Sequence, residues 1–391
     1  MWVKSLFRGW LGQGRTTRAL KTRGRIVRLG VEALEDRTLP SSYTAASVSD
    51  LIADINAVNT TGGSNTIALV AGTTFALTAV NDTTHGATGL PQIAATDNLT
   101  ILGNGATIAR STALGTPSFR LFDVASGASL SLSSLTLQGG LAFGSGVAAE
   151  GGAIYNQGIL NLSGVTVQNN VAQGAEGGLN LPGQSAAGGG IYSAGVLTLQ
   201  ASSIQNNQAI GGQGGQGEGP PSRGGYPIAA PGGAGGSALG GGLYVGGGAA
   251  SLTDTILAGN TAQGGLGGNG SVGGVVVGVD AMGGSGSVNI PGGKGGTGGA
   301  GLGAGLYAAG GTITLVNDSV TNSSAQGGAG GNGGAGKPKG ANGSPGLGEG
   351  GGLYVDAAAL AYLDAFTQAN IKHNHASTGN ADIYGSYSTY P

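Results

Sequence analysis

Cysteine is absent from the 391-residue chain, so neither disulfides nor thiolate metal sites can support it. Charge is scarce at 9% of residues, against about 25% in ordinary globular domains. Aromatic residues make up 5%, too few to fill a wide core. No apolar run reaches the ~18 residues of a membrane-spanning helix. Nor does the N-terminus hold the apolar core of ~7–15 residues of an ordinary secretory signal. Disorder is also excluded, because a disordered chain carries more charge and less Val, Ile and Leu than the 39% hydrophobic content here. Low aromatic and high aliphatic content together fit a narrow core of stacked aliphatic side chains.

Glycine is what the chain has instead, at 87 residues. It follows no G-X-Y register with abundant proline, which excludes collagen. Many glycines belong to a recurring phrase: Gly151–Tyr155 (GGAIY), Gly188–Tyr192 (GGGIY), Gly240–Tyr244 (GGGLY), Gly303–Tyr307 (GAGLY) and Gly350–Tyr354 (GGGLY). Each is followed by a second phrase, an aliphatic residue, two free positions, Asn, one free position and Ala. It runs through Val167/Asn170/Ala172, Ile204/Asn207/Ala209, Leu257/Asn260/Ala262 and Ile371/Asn374/Ala376. Val320/Ser323/Ala325 has Ser for Asn, and Leu137/Gly140/Ala142 opens the series with Gly in that place. A fixed unit with variable spacers is the mark of a stacked-repeat architecture.

The unit GGAIY-NQ-GILNLSG-VTVQNNVA divides into three strand-sized pieces at Asn, Gly and Ser corners. Three short strands in one turn, each pairing with its equivalent one turn on, make a parallel β-helix. Ile154, Leu160, Leu162, Val165 and Val167 should then point inward and stack on Ile191, Leu197, Leu199 and Ile204. Asn170, Asn207, Asn260 and Asn374 share a corner, where side-chain amides can form a structural ladder along the axis. Asn also tolerates the left-handed backbone such a corner can demand. Earlier strands are expected at 66–69, 74–79, 99–102, 106–108, 119–124 and 129–137. Ahead of them, residues 47–59 read as a helix capped by Ser49, with Leu51, Ile52, Ile55 and Val58 as its apolar stripe. It is placed to cap the first coil, over about 47–80, and no other clear helix follows. The repeat resembles the GGA[ILV] and FxxN motifs of polymorphic outer-membrane proteins of chlamydial type, with Val, Ile or Leu in place of the aromatic. More broadly, it is similar to the pectin-lyase-like right-handed β-helix superfamily. The resemblance spans about 130–384 and implies an all-β, single-stranded right-handed parallel β-helix with an N-terminal capping helix and Gly-rich loop insertions. No C-terminal barrel follows the repeats, so self-translocation is not supported.

Net charge is divided unevenly. Residues 1–37 carry +6 and the remainder −8, which suggests a basic leader (1–42) before a β-helix domain (43–391). Trp2, Val3, Leu6, Phe7, Trp10 and Leu11 share one helical face opposite Lys4, Ser5 and Arg8, as a membrane-surface stretch or a floppy cleavable leader would. Leu34–Ser41 (LEDRTLPS) resembles the N-terminal signature of predicted exported or surface proteins of planctomycete-type bacteria, which implies export or surface display. The body has no basic stripe, so no nucleic-acid partner is expected.

The spacers at 173–187, 210–239, 263–302 and 326–349 should all project from one edge of the coil. Their GGx runs fit flexible loops, or packed helices of polyproline-II type with a side chain at every third position. Signals for catalysis are weak. Asp254 and Asp318 fall out of register, no Asp-Asp pair or calcium-binding glycine repeat occurs, and no cofactor is implied. His373 and His375 flank Asn374 without a third metal ligand, and His85 stands alone. If Ile154 and its equivalents face inward, Tyr155, Tyr192, Tyr244, Tyr307 and Tyr354 form an outward column. Such a column can serve as a polysaccharide-binding stripe or as stacking that strengthens the sheet. The expected function is a non-catalytic, exported structural or adhesive element, with polysaccharide or other cell-surface components as partners. The alternative is a polysaccharide-binding or polysaccharide-degrading protein of the same fold.

Overall fold

The structure, a computed structural model, describes residues 41–219, 229–279 and 285–390. The leader and almost all of the LEDRTLPS string lie outside them. Among the described residues no helix is long and apolar enough to cross a membrane.

Helix α1 spans Val48–Thr61, and its cap is Ser47. The Ser47 hydroxyl accepts from the Asp50 N–H at 3.2 Å, and the Asp50 carboxylate accepts from the Ser47 N–H at 3.0 Å. This reciprocal pair satisfies two otherwise orphaned donors and corrects the expected Ser49 cap, because Ser49 already lies in the first turn. Leu51, Ile55 and Val58 are buried in the main core, while Ile52 packs only at its margin. A second, short helix corrects the expectation that none follows: α2 (Ala365–Asn370) is capped by Asp364, whose carboxylate accepts from the Thr367 N–H at 2.8 Å.

The remaining architecture is mostly parallel strands stacked in several sheets, compatible with a β-helix solenoid. Among the described residues the strands form sheets of 16, 7, 6 and 5 members and one two-stranded hairpin. A turn of the chain visits them in fixed order. The turn that begins at Ile154 takes Ile154–Asn156 in the seven-stranded sheet, then Ile159–Ser163 and Thr166–Gln168 in the two arms of the large sheet that meet at the strand Ser129–Gln138. It continues with Val171–Gly174 in the six-stranded sheet and returns through Ala186–Ala187 in the five-stranded one. The turns that begin at Ile154, Ile191, Leu243 and Leu306 therefore hold five short strands rather than three. The two extra ones flank the spacer, where a two- or three-residue strand carries no readable periodicity.

Register is kept from turn to turn. Ile154 pairs with Ile191, Leu160 with Leu197, Leu162 with Leu199 and Val167 with Ile204. All eight side chains are buried in one core, alongside the equivalent Leu243, Leu252, Leu257, Leu306, Leu315 and Val320. A second, narrower core is built of alanine alone, including Ala142, Ala172, Ala209, Ala262 and Ala325. Only a methyl group stands between the outgoing and returning strands there, so the two sheets close into a thin neck.

The corner beside this neck carries a continuous chain of hydrogen bonds. The Asn170 N–H and side-chain amide both donate to Asn207 Oδ1, at 3.0 and 2.9 Å, and Asn207 donates likewise to Asn260 Oδ1 at 3.0 and 3.1 Å. The chain starts at the Gly140 N–H, passes through Ser323, which accepts from Asn260 N–H, to Asn374 and ends on Asp382. Each ladder asparagine also donates to a core-strand carbonyl of the previous turn, as Asn207 does to Val167 O at 3.0 Å. The left-handed residue of this corner is the one before the ladder position. Asn169, Asn206, Gly259, Asn322 and His373 have φ of 54°, 54°, 64°, 55° and 60°. That corrects the expected left-handed backbone at the ladder asparagines, whose amides point inward because the preceding residue makes the bend. A second polar column, absent from the sequence expectations, lines the next corner. Ser202, Thr255, Asp318 and Thr367 are buried there, and Asp318 accepts from the Thr255 and Val316 N–H groups at 2.6 and 2.9 Å.

Over the described residues the glycine spacers are ordered. Outgoing segments (210–218, 263–272) and returning ones (231–237, 291–300) use both glycine amides of their GGx triplets, in two directions. The first donates to the equivalent segment of the next turn, as Gly264 does to Gln326 O (2.8 Å), Gly267 to Ala329 O (2.9 Å) and Gly270 to Asn332 O (2.8 Å). The second donates across to a segment running the other way, as Gly265 does to Gly236 O and Gly268 to Gly233 O, both at 2.8 Å. In the last turn (326–335, 339–347) Gly328, Gly331, Gly334, Gly340, Gly343 and Gly346 keep the second direction. The result is a two-layer slab of extended helices with the three-residue period of polyproline II. Space rather than conformation demands glycine here: a Cβ on Gly265 would lie 1.9 Å from Gly212 O, yet Gly265 is outside the left-handed region. The third residue of a triplet is exposed, as are Gln216, Leu266, Asn269, Lys294, Thr297 and Asn332, or half-buried, as are Gln213 and Ala234.

Candidate functional site

The repeated Ile-Tyr strand places one tyrosine per turn on the outer side of the seven-stranded sheet. Strict register pairs Tyr155, Tyr192, Tyr244, Tyr307 and Tyr354 in series, and Tyr384 extends the row. Successive ring centroids are 4.4–5.4 Å apart and the rings tilt by only 2–10°. Parallel stacking of this kind is favourable, and it covers both faces of every ring between Tyr155 and Tyr384, the two ends of the row. Tyr155 and Tyr307 are 8% and 7% exposed, and the other rings are half-buried. The column therefore offers hydroxyls and edges along its length, and stacking on sugar rings has no free face within it. Burial pushes the Tyr192, Tyr244 and Tyr307 hydroxyls above the ordinary tyrosine range, reinforced by Glu150 at Tyr192 and Tyr244 and by Asp356 at Tyr307.

At the N-terminal end of the column His85 is not isolated. Asp123 stands in the tyrosine register one turn before Tyr155, is fully buried, and holds His85 Nδ1 at 3.0 Å. The imidazole lies 5.3 Å from the Tyr155 ring, tilted by 35° rather than parallel to it. Arg120, 5% exposed, donates to His85 O at 2.7 Å and sets its guanidinium 5.0 Å from the Tyr155 centroid, a cation–π contact. Burial lowers the Arg120 pKa against the opposing pull of Asp123, and burial raises that of Glu150. The cluster's chemistry is one imidazole oriented by a buried carboxylate, which can accept or donate a proton at Nε2. Sequence spacing could not reveal it, since the repeat phrase has not begun here. The one available sign is Phe122-Asp123 aligned with Ile154-Tyr155.

At the C-terminal end the column opens onto a cleft of about 580 Å³. Tyr354, Asp356, Leu360, Tyr362, Tyr384 and Tyr387 line it. The Asp356 carboxylate accepts from the Tyr307 hydroxyl at 3.2 Å. The Tyr354 hydroxyl is pushed up to about 12 by burial, with Tyr384 and Glu349 adding to it. Ile383-Tyr384 keeps the end of the repeat phrase but has lost its glycines, so the sequence expectations stopped at Tyr354.

His373 and His375 are exposed on either side of Asn374, and no group of three or more metal-ligating side chains occurs among the described residues. Asp254 and Asp318 do not share a register; the side-chain amide of Asn317 donates to Asp254, while Asp318 is buried in the polar column. Comparison with family models, curated proteins and solved structures finds no match to this chain.

Proposed function

We propose that the body is a single-stranded, right-handed parallel β-helix of pectin-lyase-like type, and that the protein is an exported, non-catalytic structural or adhesive element of the cell surface. The unbroken parallel register from one turn to the next supports the β-helix. The observation that carries the role is the ordered glycine slab on one edge of the stack. Its amides are used internally and its triplets present one side chain every third residue, so the spacers amount to a broad, flat display surface. The remaining repeated groups, asparagine amides and tyrosine faces, serve the next turn of the same chain. Export rests on the basic leader and the LEDRTLPS string.

Fractionation of the native host, with mass spectrometry of the mature N-terminus, tests the location. A processed chain in the envelope or medium is expected, and an intact Met1 in the cytosol overturns export. Beads coated with the protein test adhesion: they should bind host envelope fragments, and a Gly265→Ala coat should bind fewer. Equal binding by both coats removes the slab from the adhesive role.

A further inference from the structure

We infer that the cleft at the C-terminal end of the tyrosine column is a saccharide-binding site selective for neutral or amino sugars over uronates. The inference stands whether or not the protein is exported.

The cleft lies where the strands Leu353–Val355 and Ala359–Leu363, and the corner between them, meet the last turn at 384–388, which departs from the repeat. One wall comes from the seven-stranded sheet and is polar, with Tyr354, Tyr384 and Asp356. Tyr354 is stacked between Tyr307 and Tyr384, which covers both its faces, whereas Tyr384, the last ring of the column, is stacked on one face only. The other wall comes from the strand Ala359–Leu363, whose alternation turns Leu360 and Tyr362 outward while Ala359, Ala361 and Leu363 enter the core. Tyr387 completes this side, and Leu360 and Tyr387 are 59% and 42% exposed. A pyranose has the same two-sided character, with hydroxyls around its rim and an apolar C–H face. An aromatic side chain that is not stacked within the column can take the C–H face while hydroxyls and a carboxylate take the rim. A volume of about 580 Å³ lies within the usual range of small-molecule sites.

Charge sets the selectivity. Asp356 is the one ionisable carboxylate of the lining, and no Lys, Arg or His lines the cleft. A uronate would bring a second negative charge beside Asp356 without a cation to answer it, whereas a neutral sugar hydroxyl can donate to Asp356 and an ammonium can pair with it.

The full chain should be titrated calorimetrically with cellohexaose, chitohexaose and hexagalacturonate. Cellohexaose or chitohexaose should bind and hexagalacturonate should not. The double substitution Tyr362→Ala and Tyr387→Ala should weaken binding by about tenfold or more. Tyr192→Phe, in the middle of the column, should leave it unchanged and reports that the stack is intact. Asp356→Asn should admit hexagalacturonate. Failure of both cellohexaose and chitohexaose to bind overturns the inference. So does equal binding of hexagalacturonate to the native chain, or binding that survives the double substitution.

Discussion

Replacing Gly265 with alanine is a direct perturbation of the glycine slab, because the structure leaves no room for one methyl group. The added Cβ would lie 1.9 Å from Gly212 O and 2.6 Å from Gly212 C. A normal carbon–oxygen contact needs over 1 Å more, so neighbouring segments must part. Gly211 donates to Gln263 O at 2.9 Å and Gly214 to Leu266 O at 2.8 Å, and both bonds join the two outgoing segments that must part. Overpacking costs typically ~1–3 kcal/mol and each lost hydrogen bond ~0.5–1.5 kcal/mol, for a total of about 3–4 kcal/mol. Leu266→Ala, at an outward position 47% exposed, should change stability by no more than about 0.5 kcal/mol. Hydrogen exchange read on peptides covering 211–217, 263–272 and 292–299 compares the two variants. Gly265→Ala should lose protection in all three and Leu266→Ala in none. Equal behaviour of the two would refute the steric reasoning.

Asn207→Ala removes the acceptor of the Asn170 N–H and side-chain amide, leaving buried donors unpaired, so urea unfolding should show a loss of about 2–4 kcal/mol. Ala201 has φ of 47°, in the left-handed region, and Ala201→Gly should stabilise the chain by about 1 kcal/mol in the same assay. Burial pushes the Asp318 carboxyl up to about 7, against 3.8 for an ordinary aspartate. The folded chain therefore holds a proton that the unfolded chain releases. This contribution is fully present below the unfolded value and is lost as pH rises through about 7. Melting temperatures compared at about pH 5 and about pH 8 should fall with rising pH, and Asp318→Asn should flatten that fall, which reflects on the order of 2–4 kcal/mol.

Much of the fold was legible because the repeat writes its core directly. Leu160/Leu162 and Leu197/Leu199 alternate with polar residues, and that period of two names both the buried face and the partner one turn on. The ladder asparagines are legible from register alone, but the bend lies one residue before them, and Asn169-Asn170 and Asn206-Asn207 offer two adjacent candidates for it. In the spacers the GGx period allowed both flexible and packed states; neighbouring turns decide between them, and a sequence read one turn at a time does not contain that contact. The His85–Asp123 pair joins residues far apart in the chain and outside the repeat. Tyr362, Tyr384 and Tyr387 belong to the turn where the glycine phrase decays. At both ends of the column the chemistry lies where periodicity stops.

Amide exchange resolved residue by residue by NMR across 263–273 and 291–301 tests the central claim most directly. Two glycine amides in each triplet are hydrogen-bonded to backbone carbonyls, while the Leu266, Lys294 and Thr297 amides, at the third positions, are not among the backbone bonds. The account predicts a repeating pattern of two slow amides and one fast. Uniformly fast exchange would mean flexible loops, and alternation with a period of two would mean ordinary strands; either result contradicts the slab.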